Sequence, residues 1–141
     1  LNDYATEAFL HPSFVSSHNP DHRIYHLDSI LALPAILTEM CLYSRPGTLN
    51  LLPGIPEGEL PQGSIRGALA RKSIVVDELT WDLKERRADL SLTSKVDQEI
   101  NLTSRLGVED VEGGTKRDDG TWVVTLKSGE PASYRIRFST P

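Results

Sequence analysis

The sequence predicts a mainly β protein, in which an antiparallel sandwich-like domain follows an irregular arm and one main α-helix. Two observations lead to this fold class. From Gly63 onward, apolar residues recur at every second position in short runs that are separated by turn residues, with no helical stretch between them. Before that point, Asp28 to Ser44 carries apolar residues three and four positions apart, the spacing typical of a helix. The chain has 141 residues, of which 38% are hydrophobic and 25% charged, so it is long enough to bury one core.

The alternating runs predict six or seven short strands joined by turns. Arg135 and Arg137 fall on the outward phase of the last run. The inward positions are Ile74 and Val76, Leu79 and Trp81, Leu90 and Leu92, Ile100 and Leu102, Trp122, Val124 and Leu126, and Tyr134, Ile136 and Phe138.

The first two of these pairs are out of phase by one position around Asp77 and Glu78. An extra residue in one strand of an antiparallel pair has this effect, so we expect a β-bulge there. Asp119-Gly120 precedes a later run and predicts a tight turn, because glycine accepts positive φ. Ser128-Gly129-Glu130 predicts the turn before the last strand.

The helix is expected to hold Pro34 in its first turn and to end before Arg45-Pro46-Gly47. Its apolar positions cover a wide face, and we expect that face to pack against other helices of a larger protein. These positions are Leu33, Ile36, Leu37, Met40, Cys41 and Leu42.

The pattern divides the chain into three parts. Residues 1–44 hold the irregular arm and the helix, residues 45–62 form a Pro/Gly-rich crossover, and residues 63–141 form the β domain. A short strand is expected over Thr48 to Leu52 within the crossover. The chain opens at Leu1 without an initiator Met or a leader, so we expect it to be a fragment of a longer protein.

The formal charge of −5 argues against nucleic acid as a partner, because phosphate binding needs clustered basic residues. The longest apolar stretch, Ile30 to Ile36, is too short to span a membrane. The single cysteine, Cys41, cannot form an internal disulfide and is expected to act as a small buried hydrophobe. No pattern in the chain indicates a cofactor.

Several polar groups suggest chemistry but have simpler explanations. His11, His18, His22 and His26 could hold a metal only on a helix that Pro20 argues against, so solvated loop histidines are favoured. Asp118-Asp119-Gly120 lacks the further oxygen ligands of a calcium loop and is interpreted as a turn. Asn101-Leu102-Thr103 matches a glycosylation sequon but lies in a predicted strand.

Three aromatic residues could line a sugar-stacking face. Trp81, Trp122 and Tyr134 all fall on the inward phase of their strands. Burial in the core explains them without a ligand, so core positions are the favoured interpretation.

Three segments, in order, resemble one enzyme family. They are the run from Tyr25 to Met40 with Asp28 at the helix start, Leu49-Asn50-Leu51-Leu52-Pro53-Gly54-Ile55-Pro56, and Gly63-Ser64-Ile65-Arg66-Gly67-Ala68-Leu69-Ala70-Arg71. Together they are similar to the last barrel helix, the turn leaving the barrel and the start of the C-terminal β domain of family 95 glycoside hydrolases, the α-L-fucosidase-like enzymes. The resemblance covers about residues 25 to 82.

The resemblance implies a C-terminal piece of an inverting hydrolase that cleaves α-L-fucosyl or related L-galactosyl linkages outside the cytoplasm, in an extracellular or periplasmic location. Its partners would be the helical barrel of the parent polypeptide and, through the parent, a fucosylated glycan. Asp28 matches the group that orients and activates the water, while the general acid lies upstream. Ile30 and Ala32 stand where the family usually carries Asn and Gly.

Two alternatives stay open from the residues themselves. Asp28 suits an N-terminal helix cap as well as a catalytic group. The β domain could also be a carbohydrate-binding or purely structural module without catalysis.

Overall fold

The structure is a computed structural model that describes residues 27–140, with side chains described from residue 32 onward. The described part of the chain divides into two units between Leu37 and Thr38. Helix α1, Leu27–Cys41, contains the boundary between them.

Helix α1 ends earlier than the sequence predicts, at Cys41 rather than near Ser44. The next residues form strand β1, Leu42–Arg45, which pairs with β2, Thr48–Leu51. The hairpin prevails because Gly47 adopts φ 79° in the two-residue turn and because Leu42 becomes buried opposite Leu51. Strand β2 confirms the strand expected over Thr48 to Leu52. Pro34 lies inside the helix rather than in its first turn.

The C-terminal end of α1 is fixed to the β strands. The amide of Leu52 donates to the carbonyl of Cys41 at 2.8 Å, and that of Gly54 donates to Met40 at 3.0 Å. Met40 and Cys41 also pack against the sandwich core. These bonds satisfy carbonyl groups that a helix end leaves without partners. Earlier on the helix, Ile36 and Leu37 are 45% and 46% exposed.

The remaining strands complete two five-stranded sheets. They are β3, Gln62–Ala70; β4, Ile74–Asp82; β5, Arg87–Ser94; β6, Gln98–Ser104; β7, Val108–Glu112; β8, Thr115–Lys116; β9, Trp122–Leu126; and β10, Pro131–Phe138. The first sheet has the order β1-β2-β6-β9-β8 and the second the order β3-β4-β5-β10-β7. Neighbouring strands are antiparallel except β2 and β6, which are parallel. The predicted mainly β, sandwich-like fold after a helix is confirmed.

The core is a layer of apolar side chains contributed by both sheets. Each fully buried aliphatic or aromatic side chain contributes roughly 1.5–3 kcal/mol by leaving water. The largest of them are Leu49, Leu51, Leu52, Val76, Leu79, Leu90, Leu92, Ile100, Val124, Leu126, Ile136 and Phe138. Most are inward positions of the alternating runs, so the period of two places them correctly.

The expected β-bulge is present in β4. Val76 lies opposite Leu92 and Glu78 lies opposite Ser91, so Asp77 is the extra residue. The hydroxyl of Thr93 donates to the Asp77 carboxylate at 2.7 Å. The bulge lets both halves of β4 turn their apolar residues toward the same core.

Both predicted turns are present, but one closes a hairpin and the other connects the two sheets. Asp119-Gly120 closes the hairpin between β8 and β9, with Gly120 at φ 85°. The turn over Ser128-Gly129-Glu130 joins β9 of the first sheet to β10 of the second, so it is a crossover between sheets rather than a hairpin.

That crossover is hydrogen-bonded to the connection between β5 and β6, which also passes from one sheet to the other. The Gly129 amide donates to the Ser94 carbonyl at 2.7 Å, and the Ser128 hydroxyl donates to the Lys95 carbonyl at 2.8 Å. Asp97 accepts from the Ser128 amide at 2.8 Å and from Lys127 Nζ at 2.9 Å. We call residues 94–97 and 127–129 the crossover clasp. It joins two of the connections through which the chain passes from one sheet to the other.

Substitution of Gly63 tests how closely β3 packs against β4. Gly63 lies directly opposite Trp81, and a β-carbon at Gly63 would stand 2.8 Å from Cη2 of that ring and closer still to Cζ2. We expect Gly63→Ala to lower the free energy of unfolding by about 1–3 kcal/mol in urea titrations, because the ring must shift. Gly58→Ala is the matched control, since nothing lies within 4 Å of its added carbon. Equal effects of the two variants would contradict this packing.

Asp97 predicts how the clasp responds to acid. The hydrogen bond from the Ser128 amide, and next the one from Lys127, hold the pKa of Asp97 below its ordinary value. A carboxylate with a lowered folded-state pKa stabilises the fold above its unfolded pKa of about 3.9, and this stabilisation is lost as pH falls through the folded pKa. We therefore expect Asp97→Asn to destabilise the protein at neutral pH and to differ little from wild type in strong acid, as measured by urea unfolding across pH.

The control for this titration is Asp118→Asn, an exposed aspartate in the β8–β9 turn. It should change the free energy of unfolding little at neutral pH, because the side chain is exposed. A difference between wild type and Asp97→Asn that stayed constant down to strong acid would mean that the carboxylate charge does not act in the clasp.

Candidate functional site

A depression lies on the outer face of the second sheet. Its volume is about 560 Å³. It is lined by Glu78, Thr80, Asp89, Leu90, Ser91, Glu112, Gly113, Ser133, Tyr134 and Arg135, and we call it the outer-face depression. The lining comes from β4, β5, β10 and β7.

Strand register explains the shape of this depression. One row of cross-strand neighbours consists of Glu78, Ser91 and Ser133. The two serines of this row have short side chains. The next outward row is Thr80, Asp89, Arg135 and Glu112, and it carries longer side chains. The two serines therefore form a floor, which is bordered by Glu78 in their own row and by the charged wall of the next row.

The charged side chains are held by one another. Arg135 Nε donates to Asp89 at 3.0 Å, and its Nη1 lies 3.8 Å from Glu112. Arg66 Nη2 lies 2.6 Å from Glu78. The bond to Asp89 raises the pKa of Arg135 above its ordinary value, so the guanidinium stays charged. Because most of these groups are well exposed, the pairs add little stability and mainly fix side-chain positions.

A second charged cluster is structural. Glu57 pairs with Arg86 at 2.8 Å and with Arg105 at 3.5 Å. Arg86 also donates through Nε and Nη2 to the Ser139 carbonyl, and Arg105 donates to the Ile55 carbonyl. These bonds join the loop before β3 to the β4–β5 turn and to Ser139 after β10. The charged groups of this cluster are therefore already paired with one another or with backbone carbonyls.

A smaller depression of about 290 Å³ lies beside Trp122 and the β8–β9 turn. Trp122 is half-buried, and Lys116 Nζ stands 5.6 Å from its ring centroid. The side chain of Asp119 accepts from the Thr121 amide at 2.9 Å, and this bond lowers the pKa of Asp119. Asp118-Asp119-Gly120 is thus a turn, as interpreted from the sequence. Within residues 32–140 no group of three or more His, Cys, Asp or Glu side chains is placed to hold a metal.

Two of the three predicted core aromatics are fully within the core. Trp81 and Tyr134 are buried, whereas Trp122 lies at the margin. Trp81 Nε1 donates to the Leu60 carbonyl at 3.2 Å. The Tyr134 hydroxyl donates to the Thr125 carbonyl at 2.8 Å, so it connects the two sheets, and burial raises the pKa of Tyr134.

The other sequence candidates are not brought together. Asp28 is the second residue of α1, and its side chain lies outside the described part, as do His11, His18, His22 and His26. Asn101 lies within β6, as predicted. Cys41 is a half-buried free thiol whose pKa is raised by burial.

Among the residues that line the outer-face depression, Arg135 is the one that the sequence pattern identified as an outward position. Its neighbours Asp89, Glu112 and Ser91 come from other strands, and only the register brings them to it. The signal that could have found them is the outward phase of each alternating run.

Comparison with known proteins finds no matching family model and no matching curated protein. The resemblance to family 95 glycoside hydrolases therefore stays a prediction. Helix α1 falls short of the length and apolar character that crossing a bilayer requires, within the residues described here.

Arg86 tests whether the Glu57 cluster serves stability. Its side chain is only 18% exposed and has partners in two other segments, at Glu57 and at Ser139. We expect Arg86→Ala to lower the free energy of unfolding by about 1.5–3 kcal/mol, the usual contribution of hydrogen bonds to a charged group. The neighbouring exposed Arg87→Ala is the control and should have a small effect. Denaturant unfolding of both variants provides the comparison, and equal losses would argue against this role.

Proposed function

We propose that this chain is the C-terminal part of a glycoside hydrolase resembling the family 95 α-L-fucosidases, in which the sandwich supports a helical catalytic domain. The observation that carries this proposal is the state of α1. Its end is bonded to the sandwich, while Ile36 and Leu37 keep nearly half of their surface exposed. A helix of this kind suits a position between a β domain and neighbouring helices.

The paired state of the polar groups in residues 38–141 favours a structural role over a catalytic role for this part of the chain. The carboxylates of Glu57, Asp89 and Asp97 are engaged in ion pairs that hold loops and strands. The hydrogen bonds of Asp82, Asp97 and Asp119 lower their pKa values. A general acid needs the opposite shift, because it must carry a proton near neutral pH.

In this proposal the catalytic acid comes from the helical domain, and Asp28 acts on the water. An inverting glycosidase protonates the leaving oxygen with one carboxylic acid while the opposite group activates water on the other face of the sugar. The start of α1 places Asp28 in the first turn of the helix. Its substrate would be a fucosylated glycan met outside the cytoplasm.

The alternative is a carbohydrate-binding or purely structural β module. Binding modules commonly stack sugars on exposed rings. Among the described aromatics, Trp81 and Tyr134 are buried and Trp122 is half-buried, so they favour core and margin positions over a stacking platform. A supporting role therefore remains the preferred proposal.

The proposal is tested by hydrolysis of 4-nitrophenyl α-L-fucoside. We expect the full-length parent to turn over and the 141-residue chain alone to be inactive. In the parent, Asp28→Asn should reduce kcat by about 10²–10⁴-fold, the usual range for a positioned acid or base. The control is Glu39→Gln, which removes an exposed acid from the same helix.

Three outcomes would count against the proposal. Turnover by the 141-residue chain would show that the catalytic groups are present within it. An inactive parent would remove the hydrolase assignment, and an unchanged rate in Asp28→Asn would remove Asp28 from the site.

A further inference from the structure

We propose that the outer-face depression binds a segment of neutral, polyhydroxylated glycan as a secondary contact of the parent enzyme. This inference rests on the proposed function for its context, but its geometry comes from residues 66–135 alone. The depression is wide enough, at about 560 Å³, to receive a small ligand.

The arrangement of polar groups indicates a ligand that both donates and accepts hydrogen bonds. The floor presents the hydroxyls of Ser91 and Ser133, and the wall presents the Thr80 hydroxyl together with Asp89, Arg135 and Glu112. Hydroxyls donate and accept, carboxylates accept, and guanidinium only donates. Sugar hydroxyls can pair with all three types, whereas a purely donating ligand could not pair with the guanidinium and a purely accepting ligand could not pair with the carboxylates.

The charged groups are already fixed before a ligand arrives. Arg135 is held by Asp89 at 3.0 Å, and Glu78 is held by Arg66 at 2.6 Å. A side chain that is held in place loses less conformational entropy on binding, so each new hydrogen bond is more favourable. Both carboxylates still have lone pairs that these bonds do not use.

The balance of charge favours a neutral ligand. Three carboxylates, those of Glu78, Asp89 and Glu112, face the depression, and Arg66 and Arg135 pair with them. A sulfated or uronic glycan would meet like charge at the carboxylates. A cationic peptide would have to compete with two arginines that are already in place.

Binding at this face is expected to be weak. No aromatic ring of the described residues is exposed on it, since Tyr134 turns its hydroxyl inward to Thr125. Weak contacts still matter in a tethered domain, because linkage to the catalytic domain raises the effective concentration of the glycan. The depression would thus retain a glycan chain near the catalytic domain.

The test is a titration of the isotopically labelled 141-residue chain with the neutral trisaccharide 2′-fucosyllactose, followed by amide NMR shifts. We expect shifts that saturate at millimolar ligand and concentrate on β4, β5 and β10. Arg135→Ala should weaken binding by about tenfold or more, since it removes a charged donor and releases Asp89.

Arg137→Ala is the matched control. Arg137 lies on the same strand and the same face, and it is similarly exposed and paired with Glu109 and Asp110, but it does not line the depression. Its affinity should equal that of wild type. The amide spectra also show whether each variant remains folded.

The competing occupants are distinguished in the same experiment. Absence of saturable shifts with the trisaccharide, equal losses in both arginine variants, or shifts confined to the depression beside Trp122 would each overturn the proposal. So would binding of tetralysine in place of the sugar, with the strong salt dependence of an ionic contact. Because this readout does not involve hydrolysis, it can fail while the fucosidase assay of the parent succeeds.

Discussion

The two sheets depend on one shared apolar layer, and the phase of each strand decides which side chains enter it. Successive side chains of a strand point to opposite faces, so a slip of one residue would expose the whole apolar set of that strand. Strand β4 shows the constraint most clearly, because Val76 and Leu79 both face inward only if Asp77 is accommodated as a bulge. The same bulge keeps the polar residues that follow it, such as Glu78, on the outer face.

Burial alone does not determine how the sheets are joined, and polar contacts at the connections complete the fold. In the crossover clasp, Asp97 accepts a hydrogen bond from the Ser128 amide. The hydroxyl of buried Ser94 forms hydrogen bonds with the backbone of Val96 and with the side chain of Gln98. Buried or chain-linking polar groups are costly to leave without partners, which gives these contacts their influence on stability. The Glu57 cluster does the same for the loop that leads into β3. The exposed ion pairs of the second sheet have a different consequence, since they position groups that remain open to solvent.

Periodicity predicted β4, β5, β6, β9 and β10, together with the bulge, because each depends on local alternation of apolar residues. It missed the end of α1, where the apolar spacing continues through Leu42 but the Gly47 turn and pairing with β2 win. It also missed β7, in which an extra residue at Glu109 breaks the alternation, and β8, which has two exposed residues. The assignment of β9 and β10 to different sheets is a long-range choice that adjacent turn residues do not determine. The outer-face depression was hidden for the same reason, since Arg135 meets Asp89 and Glu112 only through the register of three strands.

Native-state amide hydrogen exchange on the whole chain tests most directly whether the shared layer makes the two sheets one cooperative structure. The informative amides are those of Leu90 and Ile136 in the second sheet and of Ile100 and Val124 in the first. If the layer and the clasp act together, all four should exchange only through global unfolding and give the same opening free energy, equal to that from urea titration. A first sheet that opened at a clearly lower free energy while the second stayed protected would contradict a single cooperative sandwich.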